Sequence, residues 1–273
     1  MSGNGGVQRI AGAFTDLKQQ SRKALIIYLM AGDPDPAFTV DIVPKLQEAG
    51  ADIVELGFPF SDPIADGPVI QAAGQRALAK LPDLVQCLEV VRNIRTACGI
   101  PLVSMTYYNP IFRYGDKKYF EDALDAGLDG VIVPDLPLVE AGDWKADARE
   151  VGIASIFLEA PNTGDEEAEK IAEASTGFVY LVSLKGVTGS DKGLGENLQS
   201  RAERMRGLTD TPAAVGFGIS TPELAGRFGA MCDGVIVGSG TVSAIAEGKT
   251  AAQSEKNVVE YVRAMRAGLD AEA

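Results

Sequence analysis

The chain has 273 residues, of which 46% are hydrophobic and 23% charged, and its formal net charge is −13. This composition is typical of a globular protein with a substantial core, and the acidic balance argues against binding to a nucleic-acid backbone or an anionic membrane. The sequence contains no histidine, which excludes Ser-His-Asp and Cys-His catalysis and the common histidine metal sites, so acid–base chemistry must come from Asp, Glu, Tyr, Lys or Cys.

The chain begins with elements that are expected to pack rather than to react. Residues 1–6 are glycine-rich and are expected to form a flexible N-terminus, and residues 7–20 are predicted to form a helix that covers the barrel bottom. A second helix is predicted after the first strand, because Asp35 is a suitable N-cap and Pro36 suits the first helical position. Pro44 removes one hydrogen bond of this helix, so we expect a kink or a late start there.

Short apolar runs rich in β-branched residues recur with helical stretches between them, which is the pattern of parallel strands buried on both faces. The eight runs are residues 24–30, 52–57, 101–107, 130–134, 154–159, 177–183, 213–217 and 234–238. Eight parallel strands can close a barrel that has no exposed edge. We therefore predict an α/β fold in which residues 1–273 form a single-domain (β/α)8 TIM barrel with extra N-terminal and loop helices.

A related phrase occurs three times, in residues 49–54, 126–131 and 229–235. In each copy a helix ends in glycine and a strand soon begins. This repetition favours a barrel of repeated βα units over the alternative, a doubly wound open sheet, which needs no such recurrence. An apolar stripe in residues 258–269 predicts a final packing helix.

The cysteines bear on the cellular compartment. Cys87, Cys98 and Cys232 lack metal-binding or redox spacing, which predicts reduced thiols. No stretch reaches the ~20 apolar residues of a membrane span, and no apolar signal core follows the N-terminal segment. A cytoplasmic location is expected.

Glu55 is the first candidate for chemistry, because it interrupts an apolar strand at a position where a parallel strand is normally buried on both faces. Burial raises the pKa of a carboxyl group and makes it a suitable proton donor near neutral pH. The alternative is a structural ion pair with a lysine from a neighbouring strand.

The loop after this strand, residues 58–68, contains Asp62 and Asp66 between prolines that stiffen it. For a single loop aspartate, an Asx turn or a helix N-cap is the alternative to catalysis. Two carboxylates in different environments can divide the roles of acid and base, so we predict that Glu55 and Asp66 act together.

Glycine-rich turns follow the last three predicted strands, in residues 186–189, 216–220 and 237–240. These turns are neighbours in a barrel, and with a helix that begins near Ser239 they offer backbone N–H groups and a hydroxyl to a phosphate. The alternative for each glycine is conformational freedom at a strand-to-helix turn. Their clustering favours a phosphate site that uses no basic side chain.

With these motifs the chain closely resembles the α subunit of tryptophan synthase. The motifs that carry the resemblance are Glu55, FPFSDPIADGP at 58–68, YYNPIFRYG at 107–115, PDLP at 134–137, GVTG at 186–189, GFGIS at 216–220 and VGSG at 237–240. GDP at 32–34 and ELGFPFSDPIADGP at 55–68 are specific to that family in combination. The resemblance implies an indole-3-glycerol-phosphate lyase of tryptophan biosynthesis. Its retro-aldol reaction gives indole and glyceraldehyde 3-phosphate and uses no metal or organic cofactor.

The resemblance also implies roles for individual residues. Glu55 matches the glutamate that protonates indole C3 and assists the proton leaving the glycerol hydroxyl, and Asp66 matches the aspartate that stabilises the indole N–H. Tyr180 matches the tyrosine beside that glutamate, with core packing as the alternative. The phosphate site is matched by Thr188, Gly189, Gly218, Gly238 and Ser239. The indole pocket is matched by Tyr28, Tyr107, Ile132 and Ile236.

The family works as an αββα heterotetramer (alpha2beta2), and the β subunit uses pyridoxal phosphate to join indole to serine after indole passes through a tunnel. The resemblance therefore implies a β subunit as the partner. The positions that match the face toward this partner are Asp62, Pro63, Asn109, Pro110, Phe112 and Asp135. The alternative for these residues is ordinary loop capping.

Leu184 and Lys185 depart from the family, which more often has a small or polar pair before GVTG, and a different closure of this loop is expected.

Three alternatives to the main hypothesis remain. Another phosphate-binding barrel enzyme, such as a sugar-phosphate isomerase or aldolase, explains the glycines but not the Glu55–Asp66 loop. A catalytically weak regulatory subunit that activates a β partner and a stand-alone indole-producing lyase are the others.

Overall fold

The structure, a computed structural model, describes residues 5–183 and 191–271. Within these residues the strands are β1 Ala24–Met30, β2 Ile53–Gly57, β3 Leu102–Met105, β4 Gly130–Ile132, β5 Ala154–Ile156, β6 Leu158–Glu159, β7 Val179–Val182, β8 Ala213–Gly216 and β9 Gly234–Val237. They form one sheet in the order β5-β4-β3-β2-β1-β9-β8-β7-β6, and all of its ladders are parallel. The predicted TIM barrel is confirmed.

The two ends of the sheet, β5 and β6, meet at Phe157, the residue between these two strands. β5 pairs with β4, and β6 pairs with β7. The Phe157 carbonyl accepts a hydrogen bond from the Tyr180 N–H at 3.0 Å. Residues 154–159, predicted as one strand, are therefore two short strands that share one position of the barrel, because each pairs with a different neighbour.

Helices connect the strands and surround the barrel. In the described residues they are α1 Val7–Gln19, α2 Pro36–Glu48, α3 Pro68–Leu78, α4 Leu84–Ala97, α5 Tyr108–Tyr114, α6 Asp116–Ala126, α7 Gly142–Val151, α8 Asp165–Ala174, α9 Asp191–Leu208, α10 Pro222–Gly229, α11 Ser239–Ala246 and α12 Ala251–Ala271, with a 3-10 turn at Leu138–Glu140. The Asp35 carboxylate caps α2 and accepts from the Phe38 N–H at 2.8 Å. Since α2 begins at Pro36 and continues through Pro44, the late start is wrong, and a kink stays a prediction.

The apolar residues of the inner barrel meet helix α1. Ile10, Phe14 and Leu17 of α1 are buried and belong to the same cluster as inward-facing strand residues such as Ile26 and Ile53. Helix α1 thus covers the N-terminal ends of the strands, as predicted. The predicted packing stripe of α12 is also confirmed, since its four apolar residues are at most 1% exposed: Val258, Val262, Met265 and Leu269.

The repeated phrase has a structural cause at the starts of the strands. In each copy an aspartate carboxylate accepts the backbone N–H of a residue in the neighbouring strand, while the aspartate N–H donates to the carbonyl of that same residue. We call this double contact a strand clamp. The three clamps, with distances of 2.8 to 2.9 Å, join Asp52 to Leu25, Asp129 to Leu102 and Asp233 to Ala213. Thr176 forms the same double contact with Ser155 through its hydroxyl.

Of residues 1–6 the structure describes Gly5 and Gly6, and the Gly6 N–H donates to Asp129 Oδ1 at 2.9 Å. Flexibility of the N-terminus and a single-domain organisation of the whole chain stay predictions. No helix among the described residues is long and apolar enough to cross a membrane.

Candidate active site

A cavity of about 880 Å³ lies at the carboxyl ends of the strands, where barrel enzymes place their active sites. Its volume suits a small organic ligand. The predicted site residues that line it are Tyr28, Glu55, Asp66, Tyr180, Gly218, Ile236, Gly238 and Ser239. The structure thus brings together both predicted carboxylates and part of the predicted phosphate site.

Glu55 reaches this cavity from the middle of β2, where it pairs in register with Tyr28 of β1 and Val103 of β3. Its side chain is 1% exposed, and burial, followed by the nearby charge of Asp66, raises the pKa of its carboxyl from 4.5 to about 8. Oε2 has no hydrogen-bond partner among the described residues. The alternative of an ion pair with lysine is wrong within those residues, so Glu55 is a buried carboxyl group that stays protonated near neutral pH.

Asp66 lies above Glu55 in the loop between β2 and α3 and is partly buried. Burial raises the pKa of its carboxyl from 3.8 to about 6, and a hydrogen bond donated by the Tyr107 hydroxyl opposes this rise. The N-cap of α3 is Gly67, and no side chain caps the helix, so Asp66 is not an N-cap. At pH 7 Asp66 is mostly ionised while Glu55 is mostly neutral, which is the separation that an acid and a base require.

Tyr107 fixes the loop that carries Asp66. Its hydroxyl accepts a hydrogen bond from the Ala65 N–H at 2.9 Å, and its ring stacks on Phe60 with centroids 5.2 Å apart. The side chain is buried and does not line the cavity. Tyr107 therefore holds Asp66 from the side away from the cavity. Its predicted contact with the indole stays a prediction.

Two buried tyrosines each lie across a glycine of the next strand. A Cβ atom at Gly57 would be 2.0 Å from the Tyr28 hydroxyl, and one at Gly216 would be 2.1 Å from the Tyr180 hydroxyl. Burial, together with nearby carboxylate charge, raises the pKa of both phenols well above 10. Both rings are therefore neutral walls of the cavity, and glycine is required at both positions by close approach.

The glycine turns form the other end of the cavity. Phe217 and Gly218 have left-handed φ values of 69° and 80°, and the Phe217 carbonyl accepts a hydrogen bond from the Ser183 hydroxyl. Gly238 is the N-cap residue of α11, and no side chain caps this helix. The first N–H groups of α11 are thus available to an anion beside Ser239.

The chain matches one protein family over most of its length. The family model described as tryptophan synthase alpha chain matches residues 14–271. The chain belongs to the tryptophan synthase alpha chain family. The tryptophan synthase alpha chain of Geobacter sulfurreducens is 47% identical over 260 residues, which cover 95% of this chain and 98% of the relative. The one of Methanosarcina acetivorans is 51% identical over 244 residues, or 89% of this chain and 88% of the relative.

Solved tryptophan synthase alpha chains have the same fold. The crystal structure of the alpha chain from Legionella pneumophila has a TM-score of 0.87 at 36% identity and covers 96% of this chain and 97% of its own. The crystal structure of tryptophan synthase from M. tuberculosis in its aminoacrylate-bound form has a TM-score of 0.84 at 35% identity, with coverages of 96% and 99%. This alpha chain therefore has an enzyme role in tryptophan biosynthesis.

Of the predicted site residues that the structure describes, Tyr107 and Ile132 do not line the cavity. Ile132 ends β4, is fully buried and belongs to the inner barrel core, so its place in an indole pocket stays a prediction. Thr188 and Gly189 lie outside the described residues, as do Leu184 and Lys185.

Sequence reasoning missed the helix that closes one side of the cavity of this alpha chain. Leu224, Arg227 and Phe228 of α10 line it, and the Arg227 guanidinium lies 5.9 Å from the Phe228 ring centroid. Their spacing of three and four residues places them on one helix face, which was the available signal. A phosphate site without a basic side chain was predicted, whereas among the described lining residues Arg227 is a cation.

Proposed function

We propose that this alpha chain is a carbon–carbon lyase that cleaves indole-3-glycerol phosphate to indole and glyceraldehyde 3-phosphate. The observation that carries the proposal is a single cavity lined by Glu55 and Asp66, whose pKa values of about 8 and about 6 differ. The glycine turns at Gly218 and Gly238 line the same cavity. A substrate with a basic carbon at one end and a phosphate at the other matches this distribution of groups.

In the proposed mechanism the protonated Glu55 donates its proton to indole C3. The C–C bond to the glycerol chain then breaks as the glycerol hydroxyl returns a proton to the Glu55 carboxylate, which restores the acid. The ionised Asp66 accepts a hydrogen bond from the indole N–H while positive charge develops on the ring. This division of roles follows from one buried and one partly exposed carboxyl group.

The phosphate end supplies binding energy rather than chemistry. Backbone N–H groups near Gly218 and Gly238 and the Ser239 hydroxyl are proposed to bind the phosphate, together with Thr188 and Gly189 by resemblance. Binding of a remote, non-reacting group orients the reacting end and lowers the barrier there. The proposed reaction calls on no cofactor and no metal.

The indole ring is proposed to lie among the apolar walls of the cavity. Tyr28 and Ile236 are lining residues that the resemblance assigned to the indole pocket, and Tyr180, Ile70 and Phe217 extend the same surface. Neutral phenol and aliphatic walls favour an uncharged aromatic ligand.

We propose a tryptophan synthase β subunit as the partner, in an alpha2beta2 complex, and a cytoplasmic location. Exposed apolar side chains support a partner surface near the cavity: Ile64 is 83% exposed in the Asp66 loop, and Phe112 of α5 is 68% exposed. Asp135, in contrast, accepts the Tyr108 N–H at 2.9 Å, which supports the capping alternative for that residue.

The test is indole release from indole-3-glycerol phosphate by purified protein, with and without β subunit. We expect release by the wild type that is lost in Glu55→Gln and kept in Glu89→Gln, whose side chain is 63% exposed on α4. Activation of the β subunit without any release would instead support the regulatory alternative. Among the described residues that line the cavity there is no lysine, which a Schiff-base aldolase would need.

A further inference from the structure

A buried group of charges lies behind the glycine turns. Glu159 of β6 is fully buried, and its carboxylate accepts hydrogen bonds from Arg201 Nε at 2.7 Å and Arg204 Nη2 at 2.6 Å, both in α9. We call these three residues the arginine cluster. Apolar side chains of the same volume often stabilise a fold as well as a buried ion cluster does. A role in fixing the local geometry is therefore the better explanation for it.

Arg201 connects the arginine cluster to a strand that ends at the cavity. Its Nη1 donates to the carbonyl of Val182, the last residue of β7, at 2.8 Å, and its Nη2 donates to the Glu159 carbonyl at 2.7 Å. A planar guanidinium holds several acceptors at fixed angles, which an ammonium group does not do. Arg201 thereby fixes the end of β7 relative to β6.

The next residue connects β7 to the turn after β8. The Ser183 N–H donates to the Gly216 carbonyl at 3.0 Å, and the Ser183 hydroxyl donates to the Phe217 carbonyl. Phe217 adopts a left-handed φ of 69°, which is unfavourable for a residue with a bulky side chain and must be held by its surroundings. Val182, Ser183 and Phe217 all line the cavity.

We infer that Arg201 and Ser183 are positioning residues for the phosphate end of the cavity. Arg201 holds the end of β7, and Ser183 holds the left-handed turn at Phe217, so that the Gly218 backbone faces the substrate phosphate. This inference rests on the proposed function, which puts the phosphate at that turn. Neither residue transfers a proton in the reaction.

Three variants of the full chain separate positioning from general stability. Arg201→Met removes the contact with Val182 and leaves Glu159 paired with Arg204. Arg204→Met is the matched control, because it removes the other arginine of the cluster and keeps the contact with Val182. Ser183→Ala removes the hydrogen bond from the Ser183 hydroxyl to the Phe217 carbonyl and leaves the whole arginine cluster intact.

The first measurement is calorimetric binding of glycerol 3-phosphate, which carries the phosphate end of the proposed substrate without the indole. We expect the Kd to rise roughly 10-fold in Arg201→Met and in Ser183→Ala, the loss expected when a hydrogen bond to a charged group is weakened. Arg204→Met is expected to bind within about twofold of the wild type, because the contact between Arg201 and the Val182 carbonyl, which holds the end of β7, is kept.

The second measurement is steady-state cleavage of indole-3-glycerol phosphate. We expect the KM to rise by a similar factor while kcat stays within about threefold, because the carboxylates are unchanged. The Kd of the double variant Arg201→Met/Ser183→Ala for glycerol 3-phosphate should be no higher than that of the single variant with the higher Kd. Both substitutions act on the same chain of contacts, so their effects should not add. Where Arg201→Met does not fold, Ser183→Ala carries the same comparison with Arg204→Met.

Equal weakening in Arg204→Met and Arg201→Met, or additive effects of the two single changes, would overturn the inference. If the wild type neither binds glycerol 3-phosphate nor releases indole, the proposed function and the inference both fail. If the wild type does both and Arg201→Met and Ser183→Ala bind as the wild type does, only the inference fails.

Discussion

Glu55 acquires its acid character from its position in the barrel. In water a glutamate is ionised at pH 7, but here burial disfavours the charged form and the nearby Asp66 carboxylate adds to that effect. Asp66 is less buried and receives a hydrogen bond from Tyr107. The same type of group is thus mostly protonated at one position and mostly ionised at the other at pH 7.

Removing either ionisable group should stop the reaction and leave the fold intact. We expect Glu55→Gln and Asp66→Asn each to lose at least ~100-fold in turnover, the usual scale for acid–base groups. Indole release under saturating substrate measures the loss, and circular dichroism checks the fold. Near-normal turnover in either variant would refute the role assigned to that residue.

The dependence of turnover on pH should be bell-shaped. Activity is expected to fall below the pKa of Asp66, about 6, and above the pKa of Glu55, about 8. Because the Tyr107 hydroxyl lowers the pKa of Asp66, Tyr107→Phe should move the acidic limb to higher pH. Tyr114→Phe, which removes a hydroxyl bonded to Asp122, should leave both limbs in place, and an unmoved limb in Tyr107→Phe would contradict the prediction.

Burial of Glu55 should also make stability depend on pH. Its pKa is 4.5 in water and about 8 in the folded protein, so between these values the folded state holds a proton that the unfolded chain releases. The free energy of unfolding should therefore fall as the pH rises through this window. Urea unfolding followed by the fluorescence of Trp144, the single tryptophan, should show a smaller fall in Glu55→Gln. An equal fall in both proteins would contradict the buried pKa.

Glu55 could be predicted because a charged residue inside an apolar strand is visible in the local sequence. Arg201 and Arg227 could not be predicted, because their roles depend on which strand ends lie beside their helices in space. The two tyrosines at positions 28 and 180 were predicted, but the glycines beneath their hydroxyls were not paired with them. Contacts across strands are set by register, which the sequence does not display.

At the scale of elements, the strand clamps explain how consecutive strands keep their register. Each clamp uses one aspartate to satisfy a donor and an acceptor of the neighbouring strand, next to the point where pairing starts. The recurring phrase was visible in the sequence, whereas its partner residues lie 20 to 27 positions earlier in the chain. The break at Phe157 was invisible, because residues 154–159 form one apolar run and only the change of partner divides it.

The clamp at Asp129 should be the most sensitive to substitution. Its carboxylate is fully buried and contacts Arg9 and Arg95 as well as Leu102. Asp129→Ala should lower the free energy of unfolding by roughly 3–5 kcal/mol, because it removes a buried carboxylate from two partly buried guanidinium groups and leaves the Leu102 N–H without its acceptor. Urea unfolding followed by tryptophan fluorescence measures this loss.

The control for this prediction is Asp125→Ala. The Asp125 side chain is 79% exposed, and its contact with Arg92 is 3.4 Å long. We expect a change within about 0.5 kcal/mol there, as for other exposed ion pairs. Comparable losses at both positions would show that the clamp adds nothing beyond an ordinary ion pair.

At the scale of the whole molecule, function depends on which surface is left uncovered. Helix α1 covers the N-terminal ends of the strands, and the outer helices pack their apolar faces on the barrel. Ile64 and Phe112 remain exposed in segments that follow β2 and β3. A partner that covers these side chains would lie next to the mouth of the cavity.

Phe112 should therefore contribute to binding of the β subunit. We expect Phe112→Ser to weaken that association by roughly 10-fold or more, as for a large apolar side chain buried at an interface. Sedimentation of the mixed subunits measures the affinity. Val85→Ser is the control, since Val85 is 56% exposed on α4. Equal affinities of the two variants would place the partner elsewhere.

The tyrosines that lie across glycines restrict the mutational paths open to this enzyme. Any side chain gained at Gly57 collides with the Tyr28 hydroxyl, and the same holds for Gly216 and Tyr180. Shortening the tyrosine first leaves a gap in the cavity wall, so neither order of two single changes passes through an undamaged intermediate. The tyrosine and the glycine of each pair should therefore change together in evolution. A mutant library that varies both residues of a pair at once should contain active combinations that single-site scans miss.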